Sequence, residues 1–376
     1  MLRTCKLLLI AIVALGLSAD FAVAQKPGKG GGGPALPPVR YQVQFWTIPG
    51  AIYVGELNDT NSVGQTVGSF EFDRDGDGQT DTIRAYLYDP SVDLEYGIDL
   101  NLIVAGIPPD WEIRKATAIN EFGQIAGYIA PATANMGSPT LLQAVMIDLN
   151  PTIPVLHVLP DRSFTTYSMA GGINDGGDLV VNYQNAVGSW GHYVYNFDPA
   201  AGITEPYDLW ITSSAGSRPK INNNRQVVGR VGDWDGFRMS WSGGTEFFTG
   251  LFNIAAINEN GSFCGRARVA KSGNRFSEMP FLYSTSLETY NVGSYTAYDL
   301  NASLDFITVY TLHHRNLGAL AILDLLDPAD PDSAIVRTGP PLYVFRMTDR
   351  DSVTNFPRLT GQHGGVGVTL TPVPVP

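Results

Sequence analysis

Along the chain from Tyr41, apolar and aromatic residues come in short runs broken by Asn, Gly, Asp and Pro. Runs such as IRAYLYD (83–89), LLQAVMIDL (141–149), PVLHVLP (154–160), GHYVYNFD (191–198), FRMSWS (237–242) and MPFLYST (279–285) are rich in β-branched and aromatic residues. Their length and composition predict strands, and helical periodicity is weak throughout. A further run, EYGIDLNLIV (95–104), is expected to be a strand by the same criteria. The chain is therefore expected to be all-β.

The runs are organised by a repeat. LNDTNSVGQTVG (57–68), INEFGQIAG (119–127), INDGGDLVV (173–181), INNNRQVVG (221–229) and INENGSFCG (257–265) each place an apolar residue and an Asn before a polar stretch and a second apolar run. LNASLDFITV (300–309) and MTDRDSVTNFPRLTG (347–361) are degenerate copies. Each unit reads as a hairpin: Asn58, Asn120, Asn174, Asn222 and Asn258 cap the turn, and a later glycine supplies positive φ. Two further strands follow each hairpin. Four strands per unit, stacked in series, describe a β-propeller blade. Spread over Tyr41–Pro376, seven four-stranded blades have about 48 residues each, against ~40–50 for a typical blade. Six blades is the alternative. YQVQFWTIPG (41–50) reads as a fourth strand without its first three, and the C-terminal runs PLYVFRMTD, FPRLTGQ and GVGVTLTPV read as three strands without a fourth. An N-terminal strand closing the last blade removes an exposed edge.

Ahead of the repeats, Arg3 and Lys6 precede an apolar run, Leu7–Leu17, and Ala22-Val23-Ala24 is a small-residue cleavage site. Residues 1–24 read as a secretory signal peptide. Residues 25–40, QKPGKGGGGPALPPVR, read as a Gly/Pro-rich flexible tether, and 41–376 as the propeller. The expected location is secreted, periplasmic or on the cell surface. The formal net charge is -12, and cleavage makes it more acidic. An acidic secreted chain is a poor match for nucleic acid or an anionic membrane, and no segment reads as a membrane span. Cys264 alone survives cleavage, so no intramolecular disulfide is expected; its apolar setting marks it as a small core residue.

FDRDGDGQTD (72–81) carries the clearest chemistry. Asp73, Asp75, Asp77, Gln79 and Asp81 supply oxygen at alternate positions and Gly78 permits a sharp turn, the pattern of a calcium loop. Arg84 stands where an EF-hand has its bidentate Glu, and the flanks read as strands. The loop is expected to join strands two and three of the first blade and to hold a structural Ca2+. A second acidic run, DLLDPADPD (324–332), reads as a solvated loop. His157, His192, His313, His314 and His363 show no metal-ligand spacing, and no GxSxG elbow or sialidase signature is present, so no catalytic residue is assigned. Trp111, Tyr167, Trp190, His192 and Trp234 fall in connections expected on one face and are candidates for binding an extracellular glycan or protein. The competing expectation is that the tryptophans cap the cores of their own blades.

ATAINEFGQIAGY (116–128) and IAAINENGSFCGR (254–266) resemble the HAF-type extracellular repeats of bacteria, although the HAF tripeptide itself is absent. The acidic loop is similar to the DxDGDGxxD loops between strands of integrin-type propellers. The resemblance implies a secreted repeat protein and hands over no catalytic residue. A binding or cell-surface scaffold is the leading expectation. An extracellular polysaccharide hydrolase or lyase is the alternative, and it requires carboxylates, or a His and a carboxylate, converging near the axis.

Overall fold

A computed structural model describes residues 21–22 and 39–374, apart from 135–140, 161–164, 199–201, 205–206, 216, 242–243, 272–274, 285–287, 292–294, 301–305, 312–319, 325–333, 338–341 and 351–356. The chain is all-β. Among the described residues the strands fall into seven antiparallel sheets that follow one another along the sequence. The first sheet takes Ala51–Thr60, Thr66–Phe72, Thr82–Tyr88 and Ile98–Asp99. The second takes Trp111–Ile119, Gln124–Pro131, Gln143–Asp148 and Val155–Val158. The third takes Thr165–Ile173, Asp178–Asn185 and Trp190–Asp198, which pairs with both Gly202–Ile203 and Tyr207–Thr212. The fourth runs from Lys220–Ile221 to Thr245–Phe248 and the fifth from Leu251–Ile257 to Glu288–Asn291. The sixth runs from Tyr295–Leu300 to Ala334–Arg337.

The last sheet joins the two ends of the chain. Leu342–Arg350, Pro357–His363 and Val366–Pro374 are completed by Val39–Trp46, in register from Val39 opposite Pro374 to Trp46 opposite Gly367. This strand takes in Val39 and Arg40, the last two residues of the stretch read as a tether; residues 23–38 lie outside the described residues. Phe21–Ala22 adds a short edge pairing to it. The run 95–104 departs from the expected strand: Tyr96 makes an isolated parallel bridge with Thr47, Ile98–Asp99 forms a two-residue strand, and Leu100–Ile103 is one helical turn. The Asp99 side chain accepts from the Asn101 N–H and starts that turn.

Apolar faces of consecutive sheets meet each other. Leu87, Ile113 and Val145 share one core between the first two sheets, and Ala126, Ile173 and Tyr193 share the next. Val194, Val227 and Phe237 join the third and fourth, and Val228, Phe263 and Phe281 the fourth and fifth. Trp46 brings the last sheet against the first, stacked on Tyr88 at 4.3 Å and tilted on Tyr86. No helix among the described residues is long and apolar enough to cross a membrane.

The repeat motif builds the hairpin between the first two strands of a sheet, and at Asn61, Asn120, Asn174, Asn222 and Asn258 the Oδ1 accepts from the N–H four residues on. In Asn120–Gln124, the Asn120 Oδ1 accepts from the Gln124 N–H at 2.9 Å, and its Nδ2 donates to the Gln124 Oε1 at 2.7 Å. Gly123, three residues after the Asn, stands at φ +72°. Gly64, Gly177 and Gly261 take the same place, and in the fourth sheet Arg225 does so at φ +56° without being glycine. The glycine that closes the motif has a different cause. A Cβ on Gly127 would lie 2.3 Å from the Lys115 carbonyl, where the first strand bulges towards the second.

Each turn also reaches its neighbour. Nδ2 of Asn61 donates to the Asn120 carbonyl, Asn120 to Asn174, Asn174 to Asn222 and Asn222 to Asn258, at 2.8–3.2 Å. A second relay runs beside it: the N–H of Ser62 meets Glu121, Glu121 meets Asp175, Asp175 meets Asn223, and Asn223 meets Glu259. This corrects the register expected for the first repeat. Asn61 is the turn residue; Asn58, three residues earlier, is buried on the first strand and donates to the Ala116 carbonyl. LNDTN contains two asparagines, and only the spacing to Gly64 and Gln65 selects the second.

Candidate functional site

With the asparagine turns at one end of the sheets, the connections from strand two to three and from strand four to the next sheet lie at the other. Among the described residues, that loop end differs from sheet to sheet. It holds the acidic loop and most of the aromatic candidates, and the first strands carry charged side chains along the middle between the ends.

Two residues before the turn asparagine, the first strands of several sheets line one cavity of about 110 Å³. Asp59, Ala118, Gly172, Lys220 and Ala256 stand at equivalent places around it, with Arg346 from the last sheet. First strands from six sheets therefore share one axial space. Asp59 is held by the N–H groups of Thr60 and Ile119, Lys220 donates to the Thr117 carbonyl, and Arg346 donates to the Asn58 carbonyl.

Nearer the loop end is an ion cluster that sequence reading missed. Lys115 Nζ and Arg218 Nη1 converge on one oxygen of Glu56, at 2.7 and 3.0 Å. Arg218 leads into the fourth sheet and Glu56 belongs to the first, so this pair spans sheets that are not neighbours in sequence. Burial works against the Glu56 carboxylate, but the charges of Arg218 and Lys115 outweigh it and bring the group down to about 2. Tyr128 and Tyr167 lie within electrostatic reach of Arg218, and burial pushes the Tyr128 hydroxyl up to about 12.

The acidic loop connects strands two and three of the first sheet. Carboxylate oxygens of Asp73, Asp75 and Asp81 lie within 4.8 Å of one another, while Asp77 stands outside that cluster. Asp73 accepts from the Gly76 and Gly78 N–H groups at 2.6 Å. Desolvation opposes the Asp73 charge, and the backbone donors of Gly78, Gly76 and Asp77 outweigh it and hold the carboxyl below its usual range. Asp81 accepts from the Arg74 N–H, and Asp77 accepts from the Gln79 N–H. Gly76 at φ +81° and Gly78 at φ +88° allow the chain to fold back over these acceptors. Arg84, at the position of the missing Glu, is engaged elsewhere, with Asp99 and Glu112.

Glu112, buried at the head of the second sheet, anchors this loop. It takes Arg74 at 2.8 Å, Arg84 at 2.7 Å and Arg114 at 3.4 Å. Burial acts to raise its carboxyl, and Arg84 first, then Arg114 and Arg74, hold it below the usual range. Arg74 lies inside the acidic loop, so the loop is tied to the neighbouring sheet. Nothing in the repeat marks Glu112; its only sequence signal is the density of arginines nearby.

The aromatic candidates separate into three groups. Tyr167 and Trp190 meet edge to face at 5.1 Å, both half-buried. Trp234 is exposed and carries the Arg268 guanidinium over its ring at 4.0 Å. Trp111 is half-buried and packs on the core between the first two sheets, so it behaves as a blade cap. His192 does not belong to an exposed face. It is fully buried against Phe237, and burial lowers its imidazole to about 4, so it is neutral at pH 7. Trp190 opens this strand at the loop end, and His192, two residues further along the same face, lies deeper between the sheets. Cys264 is buried and in no disulfide among the described residues. His313, His314 and the run 325–332 lie outside the described residues.

No family model matches the chain, and no curated protein matches it. Among solved structures, it is similar to the β-propeller domain of the Trilobed protease from Pyrococcus furiosus: 12% identity over 84% of this chain and 94% of that one, TM-score 0.48. It is similar to AofleA from Arthrobotrys oligospora at 11% identity, over 89% and 90% of the two chains, TM-score 0.42. TolB from Acinetobacter baumannii follows at 14% identity, over 78% and 77%, TM-score 0.38. These likenesses carry nothing about activity, and the functional reading rests on this chain's own residues.

Proposed function

We propose that this chain is a secreted seven-bladed β-propeller, closed by its N-terminal strand, that acts as a binding or cell-surface scaffold without catalysis and is stabilised by one Ca2+. The convergence of Asp73, Asp75 and Asp81 carries the calcium reading. Three carboxylates so close repel one another, and a hard divalent cation relieves that repulsion. Asp73, Asp75 and Asp81 are the principal ligands in this reading, and Asp77 and Gln79 complete the set by moving towards the ion. The charge of the ion rigidifies the loop, and Arg74 and Glu112 pass that order to the second sheet. Affinity of ~10⁻⁴ M is expected, as in extracellular modules.

The axial space supports the ring and the non-catalytic reading. First strands of six sheets line it, and Ala118, Gly172 and Ala256 make three of its contributions small. Glu56 is committed to Lys115 and Arg218, and Asp59 to two backbone donors. Calorimetric titration of the mature chain with CaCl2 tests the metal reading. One ion per chain, lost in Asp73→Ala, is the expected result; no heat up to millimolar calcium overturns it.

A further inference from the structure

We infer that the loop end of the axis, around Arg218, is a subsite for a carboxylate-bearing sugar, such as a hexuronate residue of an acidic polysaccharide. This rests on the scaffold reading above and names the class of ligand.

The first ground is charge. Lys115 and Arg218 share a single carboxylate oxygen of Glu56, so two cations face one anion. The cluster keeps a positive charge within a chain of net charge -12. A local cationic site inside an acidic surface focuses the field and selects anions against the background. The second ground is exposure. Lys115 is buried, whereas the Arg218 and Glu56 side chains are about half exposed, at 46% and 50%. The guanidinium is thus held by one partner and open to solvent, and its planar fork suits a carboxylate in two-point contact.

The third ground is what surrounds it. Tyr128 and Tyr167 carry hydroxyls within electrostatic reach of Arg218. Trp190 stands edge to face against Tyr167. A cation, the Tyr128 and Tyr167 rings and the indole beside them match what a sugar acid presents: one carboxylate, several hydroxyls and an apolar ring face. A bare inorganic oxyanion uses the cation and leaves the aromatic rings unused. An uncharged sugar uses the rings and leaves the excess positive charge unmatched.

The test is calorimetric titration of the full mature chain with trigalacturonate, galactotriose and sodium sulfate, each in saturating calcium and again in a chelator. Trigalacturonate is expected to bind at least tenfold more tightly than galactotriose or sulfate. Arg218→Gln is expected to lose tenfold or more, and Arg218→Lys to recover part of that loss. Thermal melting of both variants verifies that they are folded. Trp190→Phe, which keeps an aromatic ring, is expected to weaken the uronide several-fold and leave sulfate unchanged. Equal affinity for trigalacturonate and sulfate overturns the sugar-acid assignment, as does uronide binding unchanged in Arg218→Gln. Absence of uronide binding in both calcium and chelator overturns it as well. Calcium titration of the same samples reads the metal site separately: uronide binding that persists while calcium gives no heat leaves this subsite standing and removes the calcium reading alone.

Discussion

The same turn occurs at both ends of the third sheet, and its surroundings differ. At Asn174 the side chain closes its own turn on Asp178 and also donates to the Asn222 carbonyl of the next sheet. At Asn185, between strands two and three, the side chain accepts from Val187 and Ser189, and Gly188 stands at φ +85°, as Gly177 does at φ +76°. Among the described residues Asn185 makes no bond to another sheet. One local solution is used twice, once as a link between sheets and once as the tip of a loop. The asparagine end repeats because it must interlock with copies of itself. The loop end is free to vary, and there the chain places its acidic loop, its axial ion cluster and its aromatic pair.

That contrast predicts its own largest effect. Asn174→Ala leaves the Asp178 N–H and the Asn222 carbonyl without partners in a buried setting, and is expected to destabilise by about 3 kcal/mol. Asn185→Ala, in a half-exposed turn, is expected to lose about 1 kcal/mol or less. Urea unfolding of the two variants compares them directly; equal losses would erase the distinction.

Acid sharpens it next. The His192 imidazole is lowered from 6.5 to about 4 in the folded chain. The unfolded state therefore takes up a proton first as pH falls, and stability declines from about pH 6.5 to about pH 4 before levelling. The loss is on the order of 3 kcal/mol. His192→Leu is expected to abolish that slope. Glu56 acts in a lower window: its folded carboxyl stands near 2 against 4.5, so its contribution is present above pH 4.5 and is lost towards pH 2. Half exposure keeps that effect smaller through solvent screening. A stability profile flat from pH 7 to pH 4 contradicts the buried-histidine assignment.

The smallest effect belongs to Arg74→Ala. Arg74 is half exposed, and Arg84 and Arg114 still neutralise Glu112. A loss under about 1 kcal/mol is expected in calcium-free unfolding. A larger loss would make Arg74 a structural member of the sheet and not a tie to the loop.

The contrast also explains what the sequence made legible. Strand pairing follows from apolar runs, and the hairpin from Asn followed three residues later by Gly, because both are local requirements. The N-terminal strand was visible as the missing partner of three C-terminal runs, and the structure pairs Val39–Trp46 with Val366–Pro374. The first repeat misleads by one asparagine: Asn58 and Asn61 have the same chemistry, and the spacing to Gly64 and Gln65, seen as the turn bonds of Asn61 to Gln65, separates them. His192 differs from the loop residues before it because it is the third residue of the strand Trp190–Asp198, and two residues of rise carry its side chain from the rim into the core. The Glu56–Lys115–Arg218 cluster is invisible in the sequence because its members come from the first sheet, the second sheet and the segment leading into the fourth, and share no motif. Contacts across the axis are set by the stacking of sheets, which no local pattern encodes.

The central claim is that the loop end carries a calcium-ordered site on a scaffold fixed from the other end. Thermal melting with calcium and with chelator, for the mature chain, Asp73→Ala and Asn174→Ala, tests it most directly. A hundredfold excess over Kd contributes about 2.7 kcal/mol, a rise of several degrees for a chain of this size. The mature chain and Asn174→Ala are expected to show that rise, the latter from a lower baseline, and Asp73→Ala to show none. A calcium shift that persists in Asp73→Ala, or none in the mature chain, contradicts the claim.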